Sequence, residues 1–167
     1  MPFRFALLAA SVALSASHAF AAEGCAEVRA ATLAGVSRPY AASIRIEHAD
    51  DLPTISHVVM TGDKMYLEMR RVWSSTPMTT KQLIDKVNQT TLKDILVCQR
   101  TGDEMIDGVS TTIYGVENQT PGHASHSRVW IAKANGLPLK TEVRLGGGEV
   151  VTSLFDYDHV EPPAGAR

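Results

Sequence analysis

Charge is never concentrated in this chain of 167 residues. Its 16 Lys and Arg and 18 Asp and Glu form no basic block and no cluster of aromatics with arginine. Nucleic-acid backbones and anionic lipid surfaces therefore lack the electrostatic footprint they require, and no nucleic-acid partner is expected. Catalytic signatures are missing too: there is no G-x-S-x-G elbow, no H-E-x-x-H and no phosphate-cradling glycine loop. Gly146-Gly147-Gly148 joins two strand-like segments instead of opening a helix. The chain reads as a non-enzyme, with no catalytic residue and no cofactor. His123 and His126 stand three residues apart, a spacing that raises a metal site, but their Gly/Pro/Ser-rich surroundings hold no cysteine, so a solvated loop is expected and no metal. Asp156, Asp158 and His159 read as an exposed strand end.

Long apolar runs are equally scarce. The only one, residues 5–14, is too short to cross a bilayer as a helix, so no transmembrane segment is expected. It follows Arg4 and precedes the small-residue series Ala19-Phe20-Ala21-Ala22, which together have the form of a secretory signal peptide over residues 1–22. Its removal takes away Arg4 and leaves a product one unit more negative than the whole chain's net charge of -2. The roughly 145 residues that remain suit a single domain over 23–163, with a disordered tail at 164–167 beyond Pro162-Pro163. Asn88 and Asn118 lie in Asn-x-Thr triplets, which matter only in a glycosylating route.

Cysteine is limited to Cys25 and Cys98. In an oxidising compartment an even pair reads as a disulfide, and closing a loop of this length stabilises by about 4 kcal/mol in the chain-entropy model. A competing reading makes Ala22-Glu23-Gly24-Cys25 a lipoprotein processing site, with Cys25 lipid-anchored. Gly24 suits that reading, Glu23 and Ala22 do not, and it leaves Cys98 without a partner.

The period of the apolar residues divides the rest. Residues 26–37 are helical, with Cys25, Val28, Thr32 and Val36 on one face, until Pro39. Alternation over 42–48, 55–60 and 64–73 predicts strands, the last two joined through Thr61-Gly62-Asp63. By that parity Arg45 and Arg70 face solvent. Thr79 and Gln82 make a capping box ahead of Leu83, Ile84 and Val87, which predicts a second helix. Residues 95–100 and 109–117 are strand-like, with a turn at Thr101-Gly102-Asp103 and a polar loop at 118–125. A meander over 128–134, 137–145 and 149–157 ends the domain, turning at Asn135-Gly136 and at the triple glycine. Seven or eight antiparallel strands with two helices predict an α+β fold, a single strongly curved antiparallel sheet whose concave side the helices cover.

Val129-Trp130-Ile131-Ala132-Lys133, then Asn135-Gly136-Leu137-Pro138-Leu139-Lys140-Thr141-Glu142-Val143 and the strand ending at Tyr157, resemble the C-terminal strands of the LolA/LolB-like superfamily of outer-membrane lipoprotein-sorting carriers. The order of elements before them is similar as well. That resemblance implies a half-open β-barrel with a hydrophobic hollow, in a periplasmic protein that shelters a lipid, a lipoprotein acyl chain or another apolar ligand. The same superfamily includes a periplasmic regulator that senses stray lipoproteins, so the alternative is a protein-interaction or sensor module with an envelope protein as partner. No residue here matches the carriers' cavity arginine.

Met60, Met65 and Met69 fall on neighbouring strands, and their flexible thioethers suit either a core or a wall that adapts to acyl chains. With Leu67, Trp73, Ile113, Trp130 and Phe155 they form the expected lining. The assignment depends on strand register, because a slip of one residue turns a side chain to the other face.

Overall fold

The computed structural model describes residues 15–49, 51–92, 95–120 and 123–164. Among them, helix α1 (Ser15–Val36) leads into strands β1 (Tyr40–Glu47), β2 (Thr54–Met60), β3 (Lys64–Met69) and β4 (Val72–Pro77). Helix α2 (Thr80–Thr90) follows, then β5 (Ile95–Ile106), β6 (Val109–Thr120), β7 (His123–Ala132), β8 (Pro138–Arg144) and β9 (Val150–Asp156). The strands form one antiparallel sheet in the order β4-β3-β2-β1-β9-β8-β7-β6-β5. Its terminal strands do not pair with each other, so the curved sheet stays an open half-barrel. The α+β fold with helices on the concave side is thus the one expected, and its ninth strand comes from a hairpin the sequence conceals.

That hairpin divides residues 64–73, which alternate as a single strand would. Arg70 and Arg71 both adopt left-handed backbone, at φ 51° and 65°, and reverse the chain in two residues. A two-residue turn of this kind matches the twist of its strands and normally carries Asn-Gly. A second correction concerns Thr101-Gly102-Asp103, which is not a turn. β5 continues through it with a register shift between Arg100 and Gly102, and the reversal comes at Asp107-Gly108, φ 47° and 82°. Third, the expected loop at 118–125 is strand on both sides of residues 121–122, so His123 and His126 lie on β7. The predicted capping box is present: Thr79 Oγ1 accepts from the Gln82 N–H and the Gln82 side chain accepts from the Thr79 N–H.

Helix α1 lies over β5 to β8 on the concave side, and α2 packs on α1. The buried stripe of α1 is Gly24, Val28, Ala31 and Gly35, which shares Val28 with the apolar face that periodicity alone picks out and is otherwise shifted from it by one residue. Small residues are required there. A Cβ on Gly24 would stand 2.8 Å from the Cys98 carbonyl oxygen, and one on Gly35 2.8 Å from the Tyr157 hydroxyl. Cys25 and Cys98 are joined as a disulfide, 73 residues apart in sequence, which ties α1 to the edge strand β5. The Cys25 sulfur is therefore not free for a lipid anchor. Val28, Ala31, Cys98, Tyr114, Val116, Val129 and Ile131 make the buried core, with Leu92 and Ile95 closing it from the chain that leaves α2.

Within residues 1–22, the described part from Ser15 onward is already helical and continuous with α1, and residues 1–14 and 165–167 lie outside the described residues. No described helix is long and apolar enough to cross a membrane.

Candidate functional site: the concave face

Register carries the concave face from the core to the far edge of the sheet. Val129 pairs with Thr141, Thr141 with Ser153 and Ser153 with Ile44, so Ile44 shares the side on which α1 packs. Tyr40, Ala42 and Ile46 of β1 share it too, as do Val151 and Phe155 of β9. Across β2 and β3 the row continues through Val58 and Met60 to Leu67 and Met65.

Burial divides this face in two. The part beneath α1 belongs to the closed core. On β1, β3 and β9, in contrast, Ile44, Ile46, Met65, Leu67, Val151 and Phe155 are only half-buried. Met60 at 1% exposure and Ala42 at 7% are the exceptions. Apolar side chains that face inward yet keep part of their surface uncovered have more favourable energy available from an apolar guest.

Five of the eight expected lining residues lie on this face. Met60 pairs with Met65, Leu67 pairs with Val58, and Phe155 pairs with Ala42. Met69, beside the Arg70-Arg71 turn, is 61% exposed and sits at the rim. Trp73, Ile113 and Trp130 occupy the opposite, convex face: Trp73 pairs with Glu68, and Ile113 with Trp130. The structure therefore does not bring all eight together. It adds Tyr40 and Tyr157 to the concave side. Tyr40 escapes a reading that starts the strand at residue 42, although the alternation 40, 42, 44, 46 extends to it.

Trp130 is nearly inaccessible even though it lies on the convex face. The Arg128 guanidinium lies 5.1 Å from its ring centroid and the Lys140 ammonium 4.3 Å, while its indole N–H donates to Glu104 at 2.5 Å. Long polar side chains thus bury it, a cation–π arrangement that serves structure. Arg128 and Arg144 both pair with Glu142, at 2.9 and 3.3 Å. Burial alone would raise the Glu142 pKa; the hydrogen bond and charge of Arg128, aided by Arg144, outweigh it and leave the carboxyl below its usual value. A depression of about 350 Å³ is lined by Gln99, Gly115, Arg128, Glu142 and Arg144, and both arginines are already engaged by Glu142.

Among the described residues no cluster of three or more His, Cys, Asp or Glu could hold a metal ion. His159 and Asp156 pair with each other at 3.1 Å on the exposed end of the chain.

Several solved structures share this architecture. Lipoprotein LppX of Mycobacterium tuberculosis superposes with a TM-score of 0.55 at 18% identity, over 84% of this chain and 98% of its own. LprF of Mycobacterium bovis gives 0.53 at 9% identity, over 88% and 99%. The fold is LolA/LolB-like. MucB of Pseudomonas aeruginosa, in its complex with MucA, gives 0.53 at 12% identity, and the match spans 82% of this chain but only 58% of the other. At these identities the likeness is one of LolA/LolB-like fold alone. No family model and no curated protein matches the sequence.

Proposed function

We propose that this is an exported binding protein that holds a lipid, a lipoprotein acyl chain or another apolar ligand against its concave face. The observation that carries the reading is the division of that face: a closed core under α1 stands beside a half-exposed apolar row of Ile44, Ile46, Met65, Leu67, Val151 and Phe155. Covering such a row returns about 25 cal/mol per Å² of apolar surface removed from water, and needs no covalent chemistry. Export to the periplasm agrees with the leader-like residues 1–22 and with a formed disulfide, which an oxidising compartment maintains. Native mass spectrometry and organic extraction of the purified protein test the proposal. Co-purifying lipid, or saturable binding of a fluorescent fatty acid, is expected. Protein that carries no lipid and binds no such probe overturns it.

A second reading, a module that docks an envelope protein, draws on the MucB–MucA complex, whose first component shares the fold. The open sheet also leaves β4 and β5 as edge strands to which an extended segment could add. Crosslinking in envelope extracts should then recover a stoichiometric partner, and its absence removes this alternative.

A further inference from the structure

The half-exposed row is apolar along its length and ends in a polar group. There Tyr40, the first residue of β1, meets Phe155 edge-on with ring centroids 5.9 Å apart and lies 6.4 Å from Tyr157, which in turn stacks on Phe155 at 6.4 Å. The two phenols are differently engaged. Tyr157 O–H donates to the Pro138 carbonyl at 2.9 Å, so its proton is committed. The Tyr40 hydroxyl, on a half-buried ring, has no hydrogen-bond partner among the described residues. A phenol in such a place normally finds one.

Two residues earlier stands Arg38. It is exposed and makes no ion pair with any described carboxylate. Its charge is nevertheless felt at Tyr157. Burial, then the neighbouring Tyr40, pushes the Tyr157 pKa up, and the positive charge of Arg38 opposes that rise. Burial raises Tyr40 as well, so both phenols stay protonated, and Tyr40 keeps a proton to donate.

An uncommitted O–H and an uncommitted guanidinium at one end of an apolar row match an amphiphile: tail along the row, acceptor oxygens at the end. We propose that Tyr40 and Arg38 form a head-group subsite that takes the anionic oxygens, carboxylate or phosphate, of a long-chain ligand. Tyr40 donates one hydrogen bond and Arg38 supplies the charge and further donors. The tail then lies over Phe155, Ile44 and Leu67. This inference rests on the apolar-ligand reading above and names the chemistry of the ligand's polar end.

The test compares three competitors for a bound fluorescent fatty acid on the purified full chain at pH 8: palmitic acid, its methyl ester, and the lysophosphatidic acid of the same chain length. At least one anion should compete at about tenfold lower concentration than the ester. The variants Tyr40→Phe and Arg38→Gln should each erase most of that preference while leaving the ester unchanged, which also reports that the variants are folded. Whichever anion competes better identifies the head group. Equal competition by all three, or a preference that survives both variants, overturns the subsite and leaves the apolar recess standing. Failure of all three to bind overturns both.

Discussion

At the scale of single residues, steric fit decides where α1 lies. Gly24 and Gly35 are three helical turns apart, and both touch groups that cannot move cheaply: the β5 backbone for Gly24, and the Tyr157 ring with Pro138 for Gly35. Replacing either by alanine should push the helix off the sheet and cost about 1–3 kcal/mol, the usual range for overpacking. Thermal unfolding of Gly24→Ala and Gly35→Ala measures this, with Ala34→Gly, on the exposed side of the helix, as a control that changes only propensity. The stripe was hard to read from sequence because glycine and alanine add little to an apolar periodicity. Val28 was legible; its small neighbours acquire meaning only when the sheet is in place.

At the scale of elements, two connections deserve measurement. The disulfide fastens α1 to a strand with only one sheet neighbour, so removing it with Cys25→Ala and Cys98→Ala together should lower stability by about 2–4 kcal/mol in urea unfolding. The β3–β4 hairpin turns on two arginines in left-handed backbone, a conformation that costs energy for any residue with a Cβ. Substituting Asn-Gly for Arg70-Arg71 should therefore raise stability by about 1 kcal/mol, seen as a higher urea midpoint with an unchanged slope. That turn explains why one strand was expected where two exist. Arg-Arg carries no turn signal, and the alternation runs through it unbroken, whereas Asn135-Gly136 announced its own reversal and the Thr79–Gln82 box announced α2. The same logic accounts for β5: Thr101-Gly102-Asp103 has turn composition, yet pairing with β6 keeps it extended through an irregularity in register.

At the scale of the whole molecule, acid should weaken the fold through carboxylates held ionised by hydrogen-bond and charge partners. Hydrogen bonds from Lys133 and then Arg100 draw the Asp103 pKa down to about 2, from an ordinary 3.8. Its folded value lies below its unfolded one, so the ionised form favours the native state. That contribution is complete above pH 3.8 and disappears as pH falls through about 2. Glu142 and Asp156 shift in the same direction, Asp156 chiefly through the backbone N–H groups of Asp158 and His159. Melting temperature should thus decline from pH 4 to pH 2, and Asp103→Asn should shallow that decline; an identical pH profile would count against the bridge between β5 and Lys133.

Local chemistry was enough to settle the class of fold: alternation marks strands, the 3.6-residue period marks helices, and an even pair of cysteines implies its bridge. Residue order could not determine which side of the sheet each strand shows to α1, since parity is relative until register links one strand to the next. Only the folded sheet separated the eight expected lining residues, turning Met60, Met65, Leu67, Met69 and Phe155 inward and Trp73, Ile113 and Trp130 outward. Only the folded sheet brought Tyr40 against Phe155 and Tyr157, because that meeting joins the first strand to the last across more than a hundred residues of intervening chain.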